Sequence, residues 1–253
     1  MPRYKLTIEY DGTGLAGWQR QADYYTVQES LETALFKFSG LATPTICAGR
    51  TDAGVHALGQ VAHFDIEKDW DEFRISEALN YYLRGDERLP VPMQVAVVKA
   101  EKVADDFSAR FSATRRYYRY RIVNRRGHLG LDNNRAWCVN EKLDAAAMQE
   151  AANVLVGKHD FTSFRSTDCQ SKNPVKTLDE LKIAQNGEEI TITCHALSFL
   201  HHQVRNMVGS LKLVGNGKWA PQDIQKALDA HDRRAAGPTA PAQGLYFVKV
   251  EYQ

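Results

Sequence analysis

Apolar and polar residues alternate from Tyr4 to Tyr10, with Tyr4, Leu6, Ile8 and Tyr10 set against Lys5, Thr7 and Glu9. This period of two predicts a strand with one buried face. After the glycine-rich stretch Asp11 to Gly17, Thr26 and Glu29 stand at capping-box spacing ahead of Val27, Leu31, Leu35 and Phe38, and Gly40 marks the stop. That is a helix with one apolar stripe. A second strand is expected from about Leu58 to Ile66, a second helix from Asp71 to Leu83 with Ile75, Leu79, Tyr82 and Leu83 inward, and a third strand from Val91 to Val98.

The second half repeats the theme. Phe111 to Asn124 reads as a long strand, and Leu143 to Leu155 as an alanine-rich helix ended by Gly157. Leu178 to Ile183 and Glu189 to Phe199 read as strands joined through Asn186-Gly187, a pair that tolerates the positive φ of a tight hairpin. His201 to Val214 is expected as a helix with Val204, Met207, Val208 and Leu211 on one side. Pro221 opens a shorter helix, and Gly244 to Tyr252 closes as a strand. Two α+β subdomains, 1–110 and 111–253, sharing one sheet, account for this assortment, with no proline-rich or charged linker between them.

Composition narrows the class. The 253 residues are 43% hydrophobic, enough for a large core, and the formal net charge of +1 does not announce a polyanion partner. Cys47, Cys138, Cys169 and Cys194 lie too far apart for a Cys-x-x-Cys metal or redox motif and read as buried or idle thiols in a reducing compartment. With no apolar leader and no run of about 18 apolar residues, the expectation is a cytoplasmic protein. No dinucleotide fingerprint, phosphate-binding loop or metal cluster is visible, so no cofactor is expected.

Charge placement changes the picture. No acid occurs from Phe107 to Leu131, while Arg110, Arg115, Arg116, Arg119, Arg121, Arg125 and Arg126 crowd the same window. On a strand, Arg115, Tyr117, Arg119 and Arg121 share one face, and Arg116, Tyr118, Tyr120 and Ile122 the other. Guanidinium groups for phosphates and tyrosine rings for unstacked bases suit a single-stranded or looped RNA. An edge strand protected by arginines would look similar.

The sharpest local signal is Gly49-Arg50-Thr51-Asp52-Ala53-Gly54-Val55-His56-Ala57, where two glycines flank a polar triplet just before a strand. Asp52 is the only carboxylate from Thr43 to Phe64. A glycosidase pair would need a second acid, whereas a lone aspartate kept ionised by a cation can act as a nucleophile. An Asx turn would also place an aspartate here.

This loop resembles the signature of the tRNA pseudouridine synthase A family. Four further blocks follow the family's order: Tyr10-Asp11-Gly12-Thr13-Gly14 with Gly17-Trp18-Gln19-Arg20-Gln21; Phe111-Ser112-Ala113-Thr114 leading to Tyr118-Arg119-Tyr120; Phe199 to Gly209; and Ala236 to Pro241 followed by Gly244-Leu245. Leu15, Ala16, Tyr117 and Gln243 depart from the pattern. The resemblance implies two ferredoxin-like subdomains around a continuous, mainly antiparallel sheet with a central cleft. It also implies a homodimer gripping tRNA, and isomerisation of uridines at positions 38 to 40 of the anticodon stem-loop by base flipping. By the same resemblance Asp52 is the nucleophile, Arg205 its guanidinium partner, and Tyr118 the platform for the flipped base and helper in removing the C5 proton. Arg50 fills the space the base leaves, and Leu245 forms an apolar wall. Arg115, Arg119 and Arg121 are the candidates for backbone phosphates. Two rivals remain at this level: an RNA-binding module with no use for Asp52, and a hydrolase that would release free uracil.

Overall fold

The computed structural model describes residues 1–253, which divide into two compact units, Met1–Thr114 with Tyr246–Gln253, and Arg115–Leu245. The expected division placed the whole C-terminal strand in the second subdomain. Instead its residues from Tyr246 onward pack with the first unit.

In the first unit, β1 (Arg3–Tyr10) pairs antiparallel with β3 (His56–Asp65) on one side and β4 (Val95–Val103) on the other. A two-residue strand, β2 (Ile46–Cys47), adds to β3 antiparallel, and the C-terminal strand, here numbered β10 (Leu245–Tyr252), meets β3 in parallel. The alternation in β1 is realised: Tyr4, Leu6 and Ile8 are fully buried and Tyr10 nearly so. β3 does not alternate, because almost every residue is buried on both faces, and its polar members are bonded accordingly. β4 begins four residues later than expected, since Pro90 and Pro92 cannot donate to a ladder and Met93 takes a positive φ of 55°.

Helix α1 (Val27–Ser39) starts where Thr26 Oγ1 accepts the Glu29 N–H at 3.3 Å, and stops at Gly40, whose φ of 76° lets its N–H reach the Phe36 carbonyl. Glu29 completes no capping box; its carboxylate lies 3.7 Å from Arg88. Helix α2 (Glu72–Arg84) is capped by Asp71 and buries Ile75, Leu79 and Leu83, while Tyr82 is only half-buried.

The loop 104–112 is strapped to this unit through Ala109. Its N–H donates to Nδ1 of buried His63 at 3.1 Å, and its carbonyl accepts the Tyr252 hydroxyl at 2.9 Å. Burial, then the nearby Arg3 charge, lowers the His63 pKa from its ordinary 6.5. The folded chain therefore holds a neutral imidazole that the unfolded chain would protonate, so its contribution is full above about pH 6.5 and is lost as pH falls through the folded pKa. Melting temperature is expected to drop between about pH 7 and pH 5 more steeply in the wild type than in His63→Gln, whose amide oxygen can still accept the Ala109 N–H. Equal slopes in the two proteins would refute this account.

In the second unit, β5 (Ala113–Asn124, its first two residues counted with the first unit) pairs antiparallel with β9 (Glu189–Ala196), β9 with β8 (Val175–Asn186), and β8 with β7 (Gly157–Asp160). A short β6 (Trp137–Val139) runs parallel to β5. Helix α3 (Ala145–Asn153) is shorter than expected, capped by Asp144; Gly157, with φ 109°, opens β7 instead of closing the helix. The β8–β9 turn is Gly187-Glu188, because Asn186 still pairs with Glu189; only Gly187 has a positive φ. Helix α4 (Gln203–Gly215) begins two residues later than expected, with His202 in the left-handed region at φ 62°. Helix α5 (Pro221–Asp229) has Pro221 at its first position. No helix is long and apolar enough to cross a membrane.

All four cysteines are free. Burial pushes the thiols of Cys47 and Cys194 up to about 12, so both are protonated near neutral pH.

Candidate active site

The loop carrying Arg50 and Asp52 is pinned at several backbone points. Ala48 N–H bonds the Val61 carbonyl at 2.7 Å, and Gln60 Nε2 bonds the Gly49 carbonyl at 2.7 Å. The Thr51 carbonyl accepts Trp18 N–H at 3.0 Å, while its hydroxyl meets the buried Tyr10 hydroxyl at 2.7 Å. Burial raises the Tyr10 pKa strongly, so that phenol keeps its proton. Val55 N–H closes the turn on the Asp52 carbonyl at 3.2 Å.

Two glycines of the N-terminal segment let this loop lie where it does. A Cβ on Gly12 would stand 2.2 Å from the Val55 carbonyl oxygen, and one on Gly17, which also has φ 94°, 2.5 Å from that of Thr51. Gly12 N–H also donates to Nδ1 of buried His56 at 2.9 Å. The separate blocks Tyr10 to Gln21 and Gly49 to Ala57 are thus two sides of one contact. From this base Asp52 is half-buried and Arg50 is exposed. The loop therefore holds a partly exposed carboxylate and an exposed guanidinium on a backbone fixed at several points.

The second unit holds the other named residues. Tyr118 is half-buried, edge-on to Phe199 at 5.0 Å between ring centroids. Tyr120, on the same face, is fully buried core, its hydroxyl bonding the Pro241 carbonyl at 2.7 Å. Arg116 is buried and reaches the Leu197 carbonyl. On the opposite face Arg115 is exposed, and Tyr117, Arg119 and Arg121 are half-buried.

The acid-free stretch finds its acids across the sheet. Arg121 contacts Glu189 at 2.7 Å and Asp132 at 3.0 Å, Arg125 contacts Glu188 at 3.2 Å, and Arg115 lies 3.8 Å from Asp179. Arg121 is therefore a tie between strands in this structure, and phosphate would have to compete with two carboxylates for it.

Arg205 leaves the first turn of α4 and is clamped to the C-terminal loop: its Nε donates to the Ala240 carbonyl at 2.8 Å, and Ala240 N–H returns to the Arg205 carbonyl at 3.1 Å. Asn206, next to Arg205, faces the protein interior. It is fully buried, donating to the Phe164 carbonyl and accepting from Thr239 and Arg233. Arg233, not among the residues that sequence singles out, organises the same loop through Asn206, Thr239 and the Gly237 carbonyl. Only its place three residues before Ala236-Gly237-Pro238 pointed to it. Leu245 is 6% exposed, at the end of a tight turn over Ala242–Gly244.

The profile of the family described as tRNA pseudouridine synthase matches residues 6–112 and 151–253. A tRNA pseudouridine synthase A of Maricaulis maris is 54% identical over 252 residues, covering 100% of this chain and 98% of that protein. The protein of the same name from Azorhizobium caulinodans is 56% identical, with 100% and 95% covered, and that of Xanthobacter autotrophicus 54% identical, with 100% of both covered. The relatives also cover residues 113–150, which the profile leaves out and which carry Tyr118 and Arg119, and the chain belongs to the tRNA pseudouridine synthase family, as an RNA uridine isomerase.

Proposed function

We propose that this chain converts uridines at positions 38 to 40 of the tRNA anticodon stem-loop into pseudouridine, with Asp52 as nucleophile acting on a flipped base. The observation that carries the reading is the loop fixed at Ala48, Gly49, Thr51 and Gly54, with Asp52 partly exposed and Arg50 exposed between those points. The reaction cleaves the bond from C1′ to N1 of uracil and forms one from C1′ to C5; N1 gains a proton and C5 loses one. Nothing is oxidised or reduced, so the chemistry asks for a nucleophile, a base and a place to turn the ring.

Asp52 supplies the nucleophile, adding to the sugar or base, or taking a sugar proton. Arg205 is its guanidinium partner, which favours the ionised carboxylate. Tyr118 stacks on the extruded uracil and assists loss of the C5 proton, and Leu245 walls the ring. Arg50 replaces the flipped nucleotide, offsetting a cost of a few kcal/mol. Arg115, Arg119 and Arg121 meet phosphates, Arg121 least readily given its two carboxylates. The reading includes a homodimer that grips tRNA across both subunits. It also takes the order β4-β1-β3-β2 of the first unit, with helices following β1 and β3, as ferredoxin-like.

Tritium release from uridine labelled at C5 in a defined tRNA, with product mapping, tests the reaction and its position together. Release confined to positions 38 to 40 is expected. Binding without release would leave an RNA-binding module, and free uracil would mark a hydrolase.

A further inference from the structure

The turn 108–112 is built as firmly as the Asp52 loop, yet none of the roles above uses it. Ser108 N–H bonds Ser112 Oγ at 2.9 Å, Ser112 N–H returns to the Ser108 carbonyl at 2.9 Å, and Phe111 N–H bonds Ser108 Oγ at 3.2 Å. Beneath it, Ala109 is fully buried with both backbone groups tied, to His63 and to Tyr252. Arg3 fastens the Phe107 carbonyl at 2.7 Å.

What this scaffold holds out is an apolar ring in water. Phe111 is 80% exposed, and the Arg110 guanidinium stands 5.2 Å from its ring centroid. An exposed phenylalanine on a flexible tip would be unremarkable; one on a turn with its amides satisfied and its base in the core is held in place at no entropic gain to the free protein. The charge placed directly at the ring is the Arg110 guanidinium. Arg110 and Arg50 both act on the Cys47 thiol in the first unit, opposing the effect of its burial, whereas Asp105 and Asp106 act on Arg3.

We propose that Phe111 and Arg110 form a stacking platform for an unpaired nucleotide of the substrate RNA, outside the pocket that receives the target uridine. A flat ring with a guanidinium beside it accepts any base face, while the cation meets the adjoining phosphate. The platform's identity as an RNA contact rests on the proposed function; its existence as a rigid, exposed pair does not.

The test uses the full chain and an unmodified anticodon-arm RNA. Phe111→Ala raises Kd about tenfold, the loss of one base–aromatic stack, and Phe111→Trp restores it. KM follows Kd, kcat moves by less than threefold, and Tm is unchanged because the ring touches little protein. Arg110→Gln also weakens binding and lowers the salt slope by about one, which Phe111→Ala does not. An unchanged Kd in Phe111→Ala overturns the platform, as does a fall in kcat alone. Loss of self-association by light scattering in Phe111→Ala would instead assign the ring to a contact between copies of this chain. A wild type that binds the RNA but releases no tritium removes the proposed function and leaves the platform standing.

Discussion

Replacing Asp52 with alanine is expected to lower kcat for pseudouridine formation by on the order of 10⁴-fold or more, the scale seen when a reacting nucleophile is deleted. The loop should survive the change. Its backbone is fixed by backbone groups and the Thr51, Gln60 and Tyr10 side chains, so the path of the loop should hold without the Asp52 carboxylate. Affinity for tRNA should stay close to that of the wild type, because the phosphate and stacking contacts lie elsewhere. Asp52→Asn is the sharper variant, since it keeps size and shape while removing the anionic oxygen. Turnover within tenfold of the wild type in either variant would end the nucleophile assignment.

The largest effect on stability is expected from Gly209→Ala. A Cβ there would lie 1.7 Å from the Pro238 carbonyl oxygen, and one on Gly237 would lie 2.8 Å from Ser210 Cα, so α4 and the loop 236–241 are in backbone contact. Neither side can yield cheaply. The loop is held by Arg205, Asn206, Ser210 and Arg233, and Ser210 and Asn206 are fully buried. A clash with backbone in a packed interior costs about 3 kcal/mol or more, a fall in Tm of roughly 6–12 °C for a chain of this size. Because the same loop anchors the Arg205 side chain, activity should fall with stability. Gly130→Ala is the control: it meets nothing within 4 Å. A wild-type Tm for Gly209→Ala would mean that the helix and loop do not touch in solution.

The site is unevenly legible in the chain. Asp52 stood out as the only carboxylate from Thr43 to Phe64 and by its flanking glycines, both local facts. That Gly12 and Gly17 exist to let its loop lie against the N-terminal segment is a relation across more than thirty residues, which no window of sequence displays. Arg121 is the opposite case. Its acid-free neighbourhood advertised a phosphate contact, but strand pairing set Glu189 beside it and the loop after β5 brought Asp132.

Periodicity and capping residues by themselves determined β1, α1, α2 and the β8–β9 hairpin, because burial of one face and satisfaction of end groups are decided within a few residues. Tertiary structure alone decided the strands of two to four residues, Ile46–Cys47, Trp137–Val139 and Gly157–Asp160, whose hydrogen bonds come entirely from partners supplied elsewhere. It likewise returned Tyr246–Gln253 to the first unit and left His201 and His202 ahead of α4. In each case the deciding free energy belongs to a contact between distant segments, and that contact exists only once the chain has folded.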